Sequence, residues 1–224
     1  MLTAGAELAF DYARAVPDES VSAMMAHIRL TDVAERATEL SAEESGEGGR
    51  PITTGSLYQI WPNQPAFQTD LLLHVIGLAS FPGGDESLPF GMKLVAEGAS
   101  AEEALRRSAF HDFLATRDEP VTYVSLLAYT VADNAAVREA LASSYEDFDR
   151  RIIGFYELLV RVGGRRMRAP LTAAHLASTI SALIEGFMLR YRADPDGVPD
   201  DLGHGLSLLD ESVLGIWEAF TEPA

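Results

Sequence analysis

The sequence predicts an all-α protein. Apolar residues recur at spacings of three and four along most of its 224 residues, which is the period of a helix buried on one face. Alternating patterns typical of strands are nearly absent, and prolines, paired glycines and capping residues separate the helical segments. A chain of this length with 47% hydrophobic residues can bury the core of one domain or of two small ones.

The first half of the chain is predicted to form five helices. Pro17 ends the first, and Asp18 or Ser20 can cap the second, a short helix that ends at His27. Thr53 is a suitable N-cap for a helix over residues 54–60. The predicted ranges are 2–16, the short helix to His27, 31–40, 54–60 and 64–79. The last helix has an apolar face of Phe67, Leu71, Leu72, Val75 and Ile76.

Two breaks interrupt this first half. Residues 41–51 are polar, acidic and rich in glycine, a composition that cannot bury enough surface to order itself, so we expect a mobile acidic insertion over residues 39–51. Pro82, Gly83 and Gly84 predict a second break, with the glycine pair as a helix stop. We place a domain boundary there, which gives domains 1–80 and 81–224.

The second half is predicted to contain longer helices. Ser100 is followed by an acid three residues on, the capping-box pattern, and Asn134 can cap the longest helix. The pair Gly163-Gly164 is expected to end that helix, and the turn over 194–197 to end the next one. The predicted ranges are 101–117, 120–133, 135–162, 172–192 and 206–220.

Charge and composition restrict the function. The net charge is −17, from 34 acidic and 17 basic residues, and Lys93 is the single lysine. Such a chain is repelled by nucleic acid at long range, so any contact with DNA must rest on a local surface. The absence of cysteine excludes disulfides and thiolate chemistry. No membrane span or signal peptide is visible, which favours a cytoplasmic protein.

No motif for catalysis or cofactor binding stands out. The five histidines show no pairing typical of a metal site, so we predict no metal and no cofactor. No Ser/His/Asp order, phosphate loop or paired-carboxylate motif is present, and an all-α enzyme is therefore the weakest interpretation.

One pattern carries a family resemblance. The segments 31–37 (Thr-Asp-Val-Ala-Glu-Arg-Ala) and 53–67, with Gly-Ser-Leu-Tyr at 55–58, resemble the N-terminal DNA-binding region of TetR-type transcriptional regulators. Residues 183–195 resemble the penultimate helix of that family. The resemblance implies a helix-turn-helix within an N-terminal three-helix bundle, followed by a C-terminal helical domain for ligand binding and dimerisation.

The resemblance implies a recognition helix that starts after Thr53. Gly55 permits close approach to a phosphate, and Tyr58 can bond one. Ser56 and Gln59 can reach base edges. We expect Leu57, Ile60 and Trp61 to pack inward against Val33, Ala34 and Ala37. The predicted DNA-binding residues are Thr53, Thr54, Gly55, Ser56, Tyr58, Gln59 and Gln64.

The chain departs from the family pattern in two ways. About fifteen residues separate Ala37 from Thr53, whereas helix-turn-helix motifs use a join of about three or four. Lysines that contact phosphates in the family are replaced by Thr54 and Gln64. We hypothesise that the acidic insertion lowers DNA affinity by repulsion.

The second half is expected to hold a ligand pocket, as the resemblance implies. Core packing is the alternative role for each aromatic candidate, and the polar candidates are Tyr123, Tyr129, Tyr156, His111 and His175. The predicted ligand-binding residues are Phe110, Phe113, Tyr123, Tyr129, Phe155 and Tyr156.

The predicted function is a ligand-responsive transcriptional regulator, more specifically a repressor that a small molecule releases from its operator. Its predicted partners are double-stranded DNA, a small-molecule effector and a second copy of the chain, paired through the last two helices. The alternative is a divergent relative with weak or lost DNA binding, which acts as a small-molecule or protein-binding module.

Overall fold

The fold is taken from a computed structural model that describes residues 24–45, 51–78 and 82–224. The helix predicted at 2–16 and most of the short helix ending at His27 lie outside these residues. The described chain forms two compact units. The N-terminal unit contains the described residues up to Leu78 together with Leu127–Leu141, and the C-terminal unit contains the rest up to Leu126 and Ala142–Ala224.

Helices dominate both units, which confirms the all-α prediction. The described ranges contain two 3₁₀ turns, Tyr129–Val131 and Pro195–Gly197, and two three-residue strands. The elements are α1 Leu30–Ser45, α2 Thr54–Leu57, α3 Gln64–Leu78, α4 Pro82–Ala96, α5 Ala101–Thr116, α6 Pro120–Ala128, α7 Ala135–Val162, β1 Arg165–Met167, α8 Ala173–Ala193, α9 Leu208–Phe220 and β2 Thr221–Pro223.

A small core joins the helices of the N-terminal unit. Its buried members are Leu30, Ala34, Leu57 and Phe67. Trp61 packs edge-on against Phe67 at a centroid distance of 5.2 Å, and its indole N–H donates to Asp70 at 2.8 Å. The partner of the indole N–H lies at the solvent-exposed end of the ring, so Trp61 covers the core and keeps its polar atom satisfied.

Helix α1 is longer than predicted. It continues to Ser45, so the loop prediction is wrong for residues 39–45, whereas residues 46–50 lie outside the described part of the chain. The glutamates of this extension are good helix formers, and Arg36 pairs with Glu39 at 2.8 Å and with Glu43 at 3.7 Å along the exposed face.

The C-terminal unit is built around helices α5, α7, α8 and α9. Its most deeply buried side chains are Leu105, Phe113, Leu159, Leu176, Ile180, Leu209 and Trp217. The predicted caps at Ser100 and Asn134 are confirmed, since Ser100 accepts the Glu103 N–H at 3.1 Å and Asn134 accepts the N–H groups of Ala136 and Val137. Gly164, at φ +63°, ends α7 as predicted.

The helix stop predicted at Pro82, Gly83 and Gly84 is wrong, because α4 begins at Pro82 and includes both glycines, whereas residues 79–81 lie outside the described part of the chain. A proline in the first turn costs no helical hydrogen bond, since that N–H has no partner inside the helix. Tertiary packing also favours the helix. A Cβ on Gly91 would collide with Ser108 Oγ and lie about 2.5 Å from Phe155 Cζ, so only glycine lets α4 approach this closely.

A short antiparallel pair of strands, distant in sequence and not predicted from it, closes the C-terminal unit. Arg165 of β1 lies opposite Pro223 of β2, and Met167 lies opposite Thr221. The Arg165 guanidinium donates to Thr221 Oγ1 at 2.6 Å and to Glu218 at 2.7 Å. Strands of three residues are too short to show an alternating pattern.

Within the described ranges, no helix combines the length and the apolar character needed to cross a bilayer.

Candidate functional site

The recognition segment begins with a well-formed cap. Thr53 has an extended backbone (φ −102°, ψ 153°), and its hydroxyl accepts the Ser56 N–H at 3.2 Å. The Ser56 hydroxyl in turn donates to the Thr53 carbonyl at 2.6 Å. The predicted capping role of Thr53 is therefore confirmed, and two side chains fix the start of a helix that has only four residues.

The exposed face of this segment contains most of the predicted DNA-binding residues. Gly55, Ser56, Tyr58 and Gln59 are exposed, and Tyr58 has 49% of its surface accessible. Their side chains and backbone can contact DNA without any rearrangement of the core. The assignment of these residues, with Thr53 and the half-buried Thr54, to DNA contact stays a prediction.

Leu57 anchors the segment, whereas Ile60 does not. Leu57 is 8% exposed and packs with Ala34 and Val33, as predicted. The inward packing predicted for Ile60 is wrong, since this side chain is 65% exposed. The reason is that α2 ends at Leu57, and a turn over residues 58–60 moves Ile60 out of the helical period.

Thr38 connects α1 directly to the chain that enters the recognition segment. Its hydroxyl donates to the Ala34 carbonyl at 2.8 Å and accepts the Ile52 N–H at 2.9 Å, and the Ile52 carbonyl oxygen lies 3.3 Å away. Residues 38 and 52 thus meet although thirteen residues lie between them. The chain after the insertion therefore meets α1 at Thr38, well before the helix ends at Ser45, and enters the recognition segment from there.

Gln64, one of the predicted DNA-binding residues, makes two hydrogen bonds within the protein. Its side-chain oxygen accepts the Leu30 N–H at 3.1 Å, and its side-chain nitrogen donates to the Ile28 carbonyl at 2.6 Å. One turn later, the buried Gln68 donates to the Met25 carbonyl at 2.9 Å. Both amides hold the start of α1 against α3, and a phosphate contact by Gln64 would require breaking these bonds.

Positive charge is scarce around the recognition segment. Arg36 pairs with Glu39 and Glu43, and the hydrogen bond that it donates to Glu39 raises the pKa of its guanidinium further. Among the described residues between 24 and 78, Arg29 is the one cation that makes no ion pair. Electrostatic attraction of this face for phosphates is therefore weak.

A second candidate site is a cavity inside the C-terminal unit. It has a volume of about 30 Å³, enough for one or two water molecules and far below the ~300–1,000 Å³ typical of drug-sized ligand pockets. Helices α4, α5, α7 and α8 contribute its walls. The lining residues are Ser87, Leu105, Ser108, Ala109, Asp112, Phe148, Ile152, Phe155, Tyr156, Ser181 and Ile184.

Asp112 is the ionisable carboxyl group of this cavity. Ser87 Oγ lies 3.3 Å from its Oδ1 and 3.1 Å from Nδ1 of His111. Burial raises the pKa of Asp112 to about 6, and the hydrogen bond from Ser87 opposes this rise only in part. Burial, with Asp112 and Asp149 nearby, also raises the pKa of Tyr156, so this residue keeps its proton at neutral pH.

Two of the six predicted ligand-binding residues line the cavity, namely Phe155 and Tyr156. Phe113 is fully buried in the core, and Phe110 packs at its edge. The Tyr123 hydroxyl donates to the Arg117 carbonyl, and its ring lies under Arg192. These three residues therefore have a packing role, which was the alternative stated from the sequence.

The remaining candidates also lie away from the cavity wall. Tyr129 belongs to the N-terminal unit and is 38% exposed. His175 accepts the Thr172 N–H in the capping box of α8, and His111 stacks on Phe90. Sequence reasoning missed Asp112, although it had a signal: this acid follows Leu105 and Ala109 at helical spacing on the apolar face of α5.

Comparison with known families identifies the class of protein. Residues 99–215, a little more than half of the chain, match the family model for the C-terminal domain of BetI-type transcriptional repressors. The chain therefore belongs to the TetR family of transcriptional regulators, and its all-helical fold agrees with this assignment. No curated protein and no solved structure matches the chain.

Replacing Asp112 tests the cost of its burial. A carboxyl group whose pKa is raised on folding stabilises the folded state only at low pH, and this contribution is lost as the pH rises from about 4 through about 6. We expect Asp112→Asn to raise the free energy of unfolding by about 3 kcal/mol at pH 7.5 and by only about 1 kcal/mol at pH 4.5.

Urea unfolding followed by circular dichroism at both pH values measures this difference. Asp147→Asn, at an exposed position of α7, is the control and should change little at either pH. An Asp112→Asn effect of equal size at the two pH values would contradict the raised pKa of Asp112.

Proposed function

We propose that the protein is a dimeric repressor that binds an operator through the recognition segment and is released by a small molecule in the C-terminal unit. The observation that carries the proposal is the capped, exposed segment after Thr53, tied to α1 through Thr38, in a chain of the TetR family. This is the arrangement that presents a short helix to the major groove.

The chemistry of the exposed face supports DNA contact. Gln59 can make paired hydrogen bonds to adenine, and Ser56 and Tyr58 can bond base edges or phosphates. Ile60, which the structure places in solvent, adds an apolar group of the kind that contacts the thymine methyl. A lack of basic residues makes base contacts and shape complementarity the main sources of affinity.

The surface of the last two helices supports a dimer. Along α8, small residues recur every four positions at Ala174, Ser178, Ala182 and Gly186, and the last three are exposed. On α9, Gly215 and Ala219 are exposed at the same spacing. Small side chains let helices from two copies approach closely, and a dimer would present two recognition segments to a near-palindromic operator about one DNA turn apart (~34 Å).

The cavity supports a response to a ligand. Its present volume leaves no room for a molecule of ordinary effector size, so binding would require its walls to move. Helix α7 contributes four residues to the cavity wall, and its first turns belong to the N-terminal unit. A ligand that favours one arrangement of this helix would shift the population of DNA-binding states.

One observation favours the second candidate function, a relative with weak or lost DNA binding. The described part of residues 24–78 offers only Arg29 as an unpaired cation, and phosphate contacts supply much of the affinity of ordinary DNA-binding proteins. In that case the C-terminal unit would act as a small-molecule or protein-binding module.

Selection of binding sites from a random DNA pool, followed by titration at several salt concentrations, separates the two functions. We expect a near-palindromic site and a shallow slope of log K against log salt, of about −2 to −5 for a dimer with one to three cations per protomer. Gln59→Ala should weaken binding to the selected site by about tenfold or more, since it removes paired base contacts.

The matched control for this titration is Gln64→Met, which leaves the exposed face unchanged. It should lower stability rather than alter base preference, because Gln64 bonds only the protein. Failure to enrich any sequence from the pool would reject the repressor and favour the binding module.

Changing the surface of α8 tests the dimer. Ala182→Arg places a large charge in the middle of the small-residue face and is expected to yield a monomer at micromolar concentration in analytical ultracentrifugation. Ala142→Arg, at an exposed position of α7, should leave the dimer intact. A wild-type chain that sediments only as a monomer would contradict the proposal.

A further inference from the structure

The cavity of the C-terminal unit combines apolar walls with a small polar end. Leu105, Ile152 and Ile184 contribute aliphatic surface, whereas Asp112 and Tyr156 contribute a carboxyl group and a phenol. Tyr156 is only 6% exposed and lines the cavity with its phenol, a group that can both donate and accept a hydrogen bond. A molecule in the cavity can therefore contact polar groups at this end as well as the aliphatic wall.

The charge around the cavity has one sign. Asp149 and Glu185 are two further carboxyl groups whose pKa burial raises, and Glu185 accepts the Tyr145 hydroxyl at 3.0 Å. No lysine or arginine is among the lining residues, and the imidazole of His111 shares the Ser87 hydroxyl with Asp112. A carboxylate buried without a cation destabilises the protein, and a cationic ligand would offset that cost.

The size of the cavity restricts the cation. A volume of about 30 Å³ accommodates a group similar in size to water, which an –NH₃⁺ group is, whereas a trimethylammonium group or an alkyl chain enters only if the walls move. The polar atoms also favour an N–H donor, because the Asp112 carboxylate and the hydroxyls of Ser87 and Tyr156 can each accept a hydrogen bond.

We propose that this cavity binds the protonated amino group of a small primary alkylamine, with Asp112 as its counter-ion and the Tyr156 and Ser87 hydroxyls as further acceptors. The alkyl chain would lie against Leu105, Ile152 and Ile184 once the cavity walls have moved apart to admit it. The inference rests on the proposed function, since it names the chemical class of the effector that would bind in this cavity.

Binding of n-propylammonium to the full-length protein, without DNA, tests this inference. We expect saturable binding in isothermal titration calorimetry and a rise in melting temperature, with 1-propanol and tetramethylammonium at equal concentration and ionic strength giving neither. Because Asp112→Asn keeps the shape of the cavity and removes its charge, it should weaken binding by about tenfold or more. The control Asp147→Asn should bind as the wild type does.

Three results would overturn the inference. They are an absence of binding by n-propylammonium, binding of 1-propanol or tetramethylammonium that equals it, and wild-type affinity in Asp112→Asn. Because the assay contains no DNA, any of these results leaves the repressor proposal to its own test. A protein that binds the amine but enriches no operator would keep the ligand assignment and reject the repressor.

Discussion

The hydrogen bonds of Thr38 are the interaction on which the N-terminal unit depends. They join Ala34, inside α1, to Ile52, which leads into the recognition segment. Without this junction, the insertion would separate α1 from α2 by a long polar segment, and the entropy of a free loop would oppose a defined arrangement. With it, Ile52 is held against α1, and Leu57 reaches the same small core as Ala34.

The C-terminal unit has a different constraint, the burial of an acid. Asp112 lies on the apolar face of α5, where an ionised carboxylate lowers stability at neutral pH. Selection for stability alone would favour an uncharged residue there. A destabilising charge in a cavity that is also lined by the Tyr156 phenol is typical of a binding site, in which a ligand supplies the missing counter-charge.

Local signals in the sequence predicted much of the fold, and long-range contacts account for the rest. The cap at Thr53 was predictable because donor and acceptor lie three residues apart. Helix α4 was missed because Pro82 and the glycines after it favour a break locally, whereas packing of Gly91 against Phe155 favours a helix. The bonds of Gln64 reach 34 and 36 residues back, a distance at which sequence spacing carries no information.

Amide hydrogen exchange at Ile52 tests the junction most directly. The Ile52 N–H should exchange slowly in the wild-type protein, because Thr38 Oγ1 accepts it within a half-buried site. Thr38→Ser keeps the hydroxyl and should preserve the protection, whereas Thr38→Val should remove it. Two results would contradict the claim that Thr38 joins α1 to the recognition segment. They are an Ile52 amide that exchanges as fast as an exposed one in the wild-type protein, and protection that survives Thr38→Val.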